Sequence, residues 1–154
     1  VTVGFSASHA ATDITKALTE STAVRLLGPT AAKGKQYPLV PKLSAAAWAQ
    51  YERPMAGERT GFVRLDSTYI GKRFDNSTNR AWIPARVRGD VRVGLRTDKW
   101  DVTAYVDNLF DDDTIRSGFT QGDFFGLFSS PGSRSWVVIP PDPVRGGLRA
   151  SYRF

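Results

Sequence analysis

Six stretches of the chain alternate between uncharged and polar side chains with a period of two residues. This period predicts β-strands, because successive side chains on a strand point to opposite faces. In the clearest stretch, 86–96, Val, Gly and Leu at the odd positions alternate with Arg and Asp at most of the even ones. The six predicted strands are Val1–Ala10, Lys42–Arg53, Thr60–Ile70, Arg86–Arg96, Trp100–Phe110 and Val144–Phe154.

The connections between these strands alternate between long and short. Two of them, Pro54–Glu58 and Thr97–Lys99, are short and contain residues that favour tight turns. The long connections are Thr12–Pro41, Gly71–Ala85 and Ser117–Asp142. Strict alternation places every long connection at one end of the sheet and every tight turn at the other. That asymmetry is typical of outer-membrane β-barrels.

The residues on one face of each predicted strand, taken as far as Tyr51 in the second strand, carry no charge, although 23% of the chain is charged. In the fifth strand the uncharged positions are Trp100, Val102, Ala104, Val106, Asn108 and Phe110. The opposite faces mix arginine with aspartate, and the arginines expected to face a water-filled lumen are Arg88, Arg92, Arg96, Arg145, Arg149 and Arg153. The expected fold is therefore all-β: an antiparallel, up-and-down transmembrane β-barrel segment whose lumenal charges pair across neighbouring strands.

The composition excludes some kinds of site and limits the possible partners. Cysteine is absent, which excludes disulfide bonds and thiolate metal sites. The net charge of +6 is compatible with nucleic acid or an anionic membrane surface as a partner. Because aspartates are interleaved with the basic residues, we expect the charges to pair internally and expect no nucleic-acid partner. The longest apolar runs fall far short of the ~18 residues of a spanning helix, whereas a barrel strand needs only ~10.

Aromatic side chains lie near the ends of the predicted strands, as in the girdles of membrane barrels. The last strand ends the chain on an aromatic residue, and its uncharged face closes with Leu148, Ala150, Tyr152 and Phe154. A soluble all-β ligand-binding module also has one apolar face, which would be its core. Alternation by itself leaves that alternative open.

Two segments resemble the C-terminal end of the barrel of TonB-dependent outer-membrane receptors. The first is Trp100–Asp113, in which an alternating strand runs into Asn-Leu-Phe-Asp at 108–111. The second is the final strand from Pro143, which follows the form Pro-Arg-x-x-Gly-x-x-x-x-Tyr-x-Phe with Val144 inserted. The loop Tyr37–Lys42, before a predicted descending strand, is also similar to the family.

The resemblance implies a bacterial outer-membrane barrel of about 22 strands with an N-terminal plug and a segment that contacts TonB. Residues 1–154 are then expected to be the C-terminal part of that barrel, without plug or earlier strands. Six strands cannot close a barrel, so the rest of the barrel and the plug are expected partners, in the same or a separate chain. The TonB complex, through the missing N-terminal part, and outer-membrane lipid are expected partners as well.

The resemblance also implies an orientation and a function. The C-terminus lies in the periplasm and the long connections lie outside the cell. The barrel-assembly machinery reads the terminal strand through Leu148, Ala150, Tyr152 and Phe154. The protein imports a scarce nutrient such as a ferric siderophore, with no catalytic residues and no cofactor. Exposed aromatics often mark binding surfaces, so the candidate ligand-contact residues of the outer loops are Trp82, Phe124, Phe125, Phe128 and Trp136.

Two alternative sites have a basis in the sequence. An outer-membrane barrel enzyme would have to build a hydrolytic site around the single histidine, and the residues available near it are Ser6, Ser8, His9 and Asp13. The run Asp111–Asp113 offers hard oxygen ligands for Ca²⁺, but it lacks the glycine-containing spacing of a calcium loop, and a solvated acidic bend is the competing interpretation.

Overall fold

The computed structural model describes residues 1–14, 34–77, 79–122 and 134–154, and within these ranges the regular elements are ten β-strands. Their bounds are β1 (Thr2–His9), β2 (Leu43–Met55), β3 (Arg59–Ile70), β4 (Arg73–Phe74), β5 (Trp82–Ile83), β6 (Arg86–Arg96), β7 (Trp100–Asp107), β8 (Ser117–Gly122), β9 (Arg134–Ile139) and β10 (Arg145–Tyr152). In this part of the chain no helix has the length and apolar character needed to cross a membrane.

The six long strands form one antiparallel sheet in the order β1-β2-β3-β6-β7-β10. Each strand pairs with the preceding long strand, so the sheet is an up-and-down meander. The expected all-β, antiparallel fold is confirmed. Two connections differ from expectation, because the predicted loops Gly71–Ala85 and Ser117–Asp142 contain the hairpins β4–β5 and β8–β9.

The register keeps the uncharged face continuous across all six strands. One row of paired residues runs Val3, Ala49, Leu65, Val91, Val106, Gly146. The adjacent row, on the other face, runs Thr2, Gln50, Arg64, Arg92, Tyr105, Gly147. A slip of one residue in any pair would place charges among the uncharged side chains, so the alternation itself specifies the register.

The uncharged face is exposed along most of its length. Leu65 is 49% exposed, Val93 48% and Leu148 79%. Among the described residues the only buried hydrophobic side chains are Ile14, Phe62 and Ile83, and none of them belongs to the uncharged face of the sheet. No second layer of described residues covers this face, as the core of a soluble sandwich would require.

Several strand ends depart from the sequence prediction. Strand β2 runs through Pro54 to Met55, and the turn is shorter than predicted, with Gly57 at φ 75°. Strand β7 ends at Asp107 rather than Phe110, and β10 begins after the inserted Val144.

Glycines on the charged face lie beneath aromatic rings of the neighbouring strand. The directly opposed pairs are Gly4 with Trp48, Gly94 with Phe62 and Gly147 with Tyr105. The absence of a side chain on each glycine leaves room for the ring opposite, which covers the glycine. The sequence analysis missed these pairs because they depend on which strands are neighbours.

We expect Gly94→Ala to destabilise the intact protein by about 2 kcal/mol, because overpacking a closely fitted site typically costs about 1–3 kcal/mol. A Cβ at this position would lie 2.6 Å from both the Phe62 ring and the backbone oxygen of Val102. Gly146→Ala is the matched control, since its Cβ would meet nothing closer than 3.4 Å. Urea titration followed by tryptophan fluorescence measures both, and equal midpoints would contradict the packing described.

Candidate functional site

The charged face of the sheet carries a network of ion pairs centred on Asp66. Arg64 Nη2 lies 2.7 Å from Asp66 Oδ1, and Arg64 Nε donates to Asp66 Oδ2 at 2.9 Å. Arg92 Nη1 reaches the same carboxylate from the next strand, 2.9 Å from Oδ2. The Arg64 guanidinium also stacks over the Trp48 ring at 4.6 Å. Asp66 therefore joins β3 to β6 through Arg92, while its pair with Arg64 lies within β3.

Like charges face each other directly in this network. Arg64 pairs with Arg92 in the register, and Asp66 with Asp90. Directly opposed like charges destabilise a sheet, but each arginine here turns to the diagonal or same-strand carboxylate instead. Arg88, for example, bonds to Asp90 two residues away on its own strand. Pairing across neighbouring strands, which the sequence predicted, occurs between Arg92 and Asp66, whereas Arg64–Asp66 and Arg88–Asp90 pair within one strand.

Four of the six arginines expected to face a lumen have carboxylate partners. Arg96 lies 3.2 Å from Asp101 and 3.8 Å from Glu52. The Asp107 carboxylate lies between arginines of two strands, and those arginines are Arg92 at 4.0 Å and Arg145 at 3.8 Å. Arg88 also reaches Asp142, at 3.2 Å. For Arg149 and Arg153, no described carboxylate lies within 4.0 Å.

The charged face is hollow between β2 and β10. The hollow has a volume of about 540 Å³, and its walls carry arginine, aspartate and hydroxyl-bearing side chains. Arg149 lines it beside Tyr105 and Thr103. An arginine without a carboxylate partner next to phenol and hydroxyl groups favours an acidic or hydrogen-bonding group in this hollow.

Asn108 fixes the corner at which β7 leaves the sheet. It is 3% exposed and adopts φ 55°, a left-handed conformation that asparagine tolerates better than most residues. Its Nδ2 donates to Asp142 O at 2.8 Å and to Asp112 O at 3.2 Å, and its Oδ1 accepts from Asp112 N at 3.0 Å. Its backbone N–H donates to Asp90 Oδ1 at 2.9 Å. The prediction that Asn108 lies on the uncharged face of the fifth strand is wrong.

The rest of the Asn-Leu-Phe-Asp segment completes this corner. The Leu109 N–H donates to Gly89 O at 2.7 Å, and the Phe110 ring lies over Gly89 on the uncharged face. The Asp142 carboxylate receives Arg88 and Arg116. The segment on which the family resemblance rested thus joins the end of β7 to the approach to β10.

Two of the five candidate ligand-contact aromatics lie among the described residues. Trp82 in β5 is 50% exposed, and Lys72 Nζ lies 4.7 Å from its ring and 4.8 Å from the Phe74 ring. Trp136 in β9 is 41% exposed and lies over Gly118. No stacking contact joins these two tryptophans to each other. Phe124, Phe125 and Phe128 lie outside the described residues.

A buried polar contact between two of the long connections was missed by the sequence analysis. Gln36, 7% exposed, and Asn79 exchange two hydrogen bonds: Gln36 N donates to Asn79 Oδ1 at 2.7 Å, and Asn79 Nδ2 donates to Gln36 O at 2.9 Å. Forty-three residues separate them, and neither belongs to a pattern visible in the sequence. Nearby, burial and the positive charge of Arg86 lower the pKa of Arg73.

Neither alternative chemical site is assembled. Ser8 and His9 are consecutive residues of β1, so their side chains point to opposite faces of the sheet. Asp13 forms an ion pair with Lys42 at 3.1 Å. Asp112 accepts a hydrogen bond from Thr114 N, and within the described ranges no three His, Asp or Glu side chains gather as a metal site. The acidic run is a hydrogen-bonded bend.

Comparison with known proteins identifies the class to which this sheet belongs. The family model "TonB dependent receptor-like, beta-barrel" matches residues 2–109. The chain therefore belongs to the family of TonB-dependent receptors, as a segment of their barrel, and the resemblance noted in the sequence is confirmed. This barrel is a bacterial outer-membrane structure.

Among solved structures, the chain is similar to BauA, the ferric preacinetobactin receptor from Acinetobacter baumannii. The two share 18% identity with a TM-score of 0.62, over 88% of this chain and 18% of the BauA chain. At this identity the similarity shows the fold, and the chain spans about a fifth of BauA. No curated protein matches the sequence.

Proposed function

We propose that residues 1–154 are the C-terminal part of the barrel of an outer-membrane receptor that imports a scarce nutrient, with a ferric siderophore as cargo. The observation that carries the proposal is the two-faced sheet: an exposed, uncharged face and an ion-paired, hollow face in a receptor-barrel family. Membership of a family of receptors favours transport over catalysis. The similarity to BauA, a ferric preacinetobactin receptor, supports a siderophore as the cargo.

The proposed orientation follows from the two ends of the sheet. The short turns between β2 and β3 and between β6 and β7 lie at the same end as the C-terminus, which we place in the periplasm. The connections that contain the β4–β5 and β8–β9 hairpins then lie outside the cell. Partner strands of the same barrel pair with β1 and β10, the edges of this sheet, and the plug occupies the charged side.

The outer connections supply the proposed ligand contacts. Trp82 and Trp136 are half exposed at the end of the sheet that faces outward, and Lys72 adds a positive charge against the Trp82 ring. An aromatic surface with a cation suits a ferric chelate that combines flat rings with negative charge. Phe124, Phe125 and Phe128 belong to the same connection as Trp136.

Uptake of iron by cells tests the proposal. Cells that express the full-length receptor should accumulate radiolabelled iron from one member of a panel of ferric siderophores, and accumulation should stop when TonB is deleted. Trp82→Ala should weaken ligand binding about tenfold, as loss of an aromatic anchor typically does, whereas Trp100→Ala at the opposite end serves as the control. Accumulation that continues without TonB, or equal losses in both variants, would contradict the proposal.

A further inference from the structure

The uncharged face is interrupted by two arginines at its short-turn end. Because β2 continues to Met55, Arg53 lies opposite Gly61 and Arg59 lies opposite Met55. Both arginines share a face with Tyr51. They are diagonal neighbours across the β2–β3 pair, with Cα atoms about 7–8 Å apart, so their guanidinium groups can reach one common ligand.

Neither arginine has a counter-ion among the described residues. Both are exposed, and no described carboxylate lies within 4.0 Å of Arg53 or Arg59. On the opposite face, by contrast, Arg64 and Arg92 both have a carboxylate partner within that distance, namely Asp66. Arg53 lies about 10 Å along the strand from the turn, a depth from which a long side chain reaches the headgroup region of a bilayer.

An apolar groove extends from Arg53 along the same face. Gly61 forms its floor, since a Cβ there would meet Met55 Sδ at 3.0 Å and Leu95 Cδ2 at 3.6 Å. The groove has a volume of about 450 Å³, and its walls are almost wholly apolar. Tyr51 and Leu148 stand at its sides, and both are more than half exposed.

We propose that Arg53 and Arg59 bind the phosphate diester of one anionic phospholipid of the periplasmic leaflet, with an acyl chain in the groove over Gly61. The proposal rests on the proposed function, which places this face in lipid and this end in the periplasm. Guanidinium groups bind phosphate oxygens through paired, charge-assisted hydrogen bonds. Two arginines against a single phosphate leave a surplus positive charge, which favours an anionic lipid over a zwitterionic one.

Native mass spectrometry of the full-length receptor in detergent micelles tests the site. The receptor is titrated with dioleoyl phosphatidylglycerol or, in parallel, dioleoyl phosphatidylcholine. The double variant Arg53→Gln/Arg59→Gln should retain phosphatidylglycerol about tenfold more weakly than the wild type, the cost of losing a charged hydrogen bond to phosphate. Arg145→Gln/Arg149→Gln removes the same charge from the opposite face and should leave retention unchanged.

A groove variant and competition with inorganic phosphate test the site further. Gly61→Leu fills the groove and should also weaken retention, and excess inorganic phosphate should not displace the lipid. Equal retention in the wild type and the Arg53/Arg59 variant, equal retention of phosphatidylcholine, or displacement by inorganic phosphate would overturn the site. A receptor that fails to enter the outer membrane would count against the proposed function, whereas normal insertion with unchanged retention would count against the lipid site alone.

Discussion

Asn108→Ala in the full-length receptor is expected to lower the free energy of unfolding by about 3 kcal/mol. The substitution removes three side-chain hydrogen bonds and leaves the Asp142 carbonyl and the Asp112 N–H without this partner. A buried group left unsatisfied costs about 1–3 kcal/mol. Alanine at φ 55° adds about 1 kcal/mol, because a Cβ disfavours the left-handed conformation. Denaturant titration of the receptor in detergent micelles measures the change.

Two further substitutions separate the hydrogen bonds from the backbone conformation. Asn108→Gly loses the same bonds but accepts a positive φ without penalty, so its loss should be about 1 kcal/mol smaller than that of Asn108→Ala. Asn108→Asp keeps the shape and turns an acceptor toward the Asp142 and Asp112 carbonyls, so it should destabilise at least as much as alanine. Wild-type stability in the alanine variant would show that this corner does not secure the end of β7.

Deletion of Phe154 is expected to impair insertion of the receptor into the outer membrane while its synthesis stays intact. We propose that the assembly machinery reads Leu148, Ala150, Tyr152 and Phe154 as an added strand. The Phe154 ring is fully exposed and meets Tyr152 edge to face at 5.3 Å, and Arg153 N donates to Lys99 O at 2.7 Å. The terminal aromatic is thus presented beside the turn rather than packed away.

Cell fractionation with a heat-modifiable gel shift measures the effect of this deletion. The outer-membrane amount of the deleted form should fall about tenfold, and unfolded protein should accumulate in the periplasm. Phe154→Tyr keeps an aromatic ring at the terminus and should insert normally. Normal insertion of the deleted form would contradict the proposed role of Phe154 in assembly.

The sheet followed from the sequence because its alternation is strong and its faces differ in charge. Strand β6 matches the predicted span Arg86–Arg96, and the uncharged positions meet across all six strands. A period of two residues fixes which side chains share a face, and that rule does not depend on distant contacts. The all-β meander and the two chemically different faces were therefore predictable.

The features that were missed depend on residues far apart in the chain. The β4–β5 hairpin has strands of two residues, too short to show alternation. Pro54 indicated a turn, but β2 continues through it to Met55, and that extension places Arg59 opposite Met55 on the uncharged face. The sequence carries no sign of which strand lies beside which glycine, so the aromatic cover of Gly94 was not visible.

The sequence predicted which charged residues of the candidate site share a face, but not which of them pair with each other. Alternation identified Arg88, Arg92 and Arg96 as one face, but the diagonal pairing around Asp66 required the register. Asn108 was assigned to the uncharged face from parity alone, and its hydrogen bond to Asp142 joins residues thirty-four positions apart. Alternation predicts the direction of a side chain within a regular strand, but it makes no prediction for residues beyond the end of the strand.

A single-cysteine scan of β6 tests the central claim, that the uncharged face contacts lipid and the charged face contacts the lumen. Residues 1–154 contain no cysteine, so once any cysteine elsewhere in the full-length receptor is replaced, spin labels can be placed one at a time at 91–95 in outer-membrane vesicles. Labels at Val91, Val93 and Leu95 should be accessible to oxygen dissolved in lipid, and those at Arg92 and Gly94 to a water-soluble nickel chelate. Uniform accessibility, or the opposite alternation, would contradict the account.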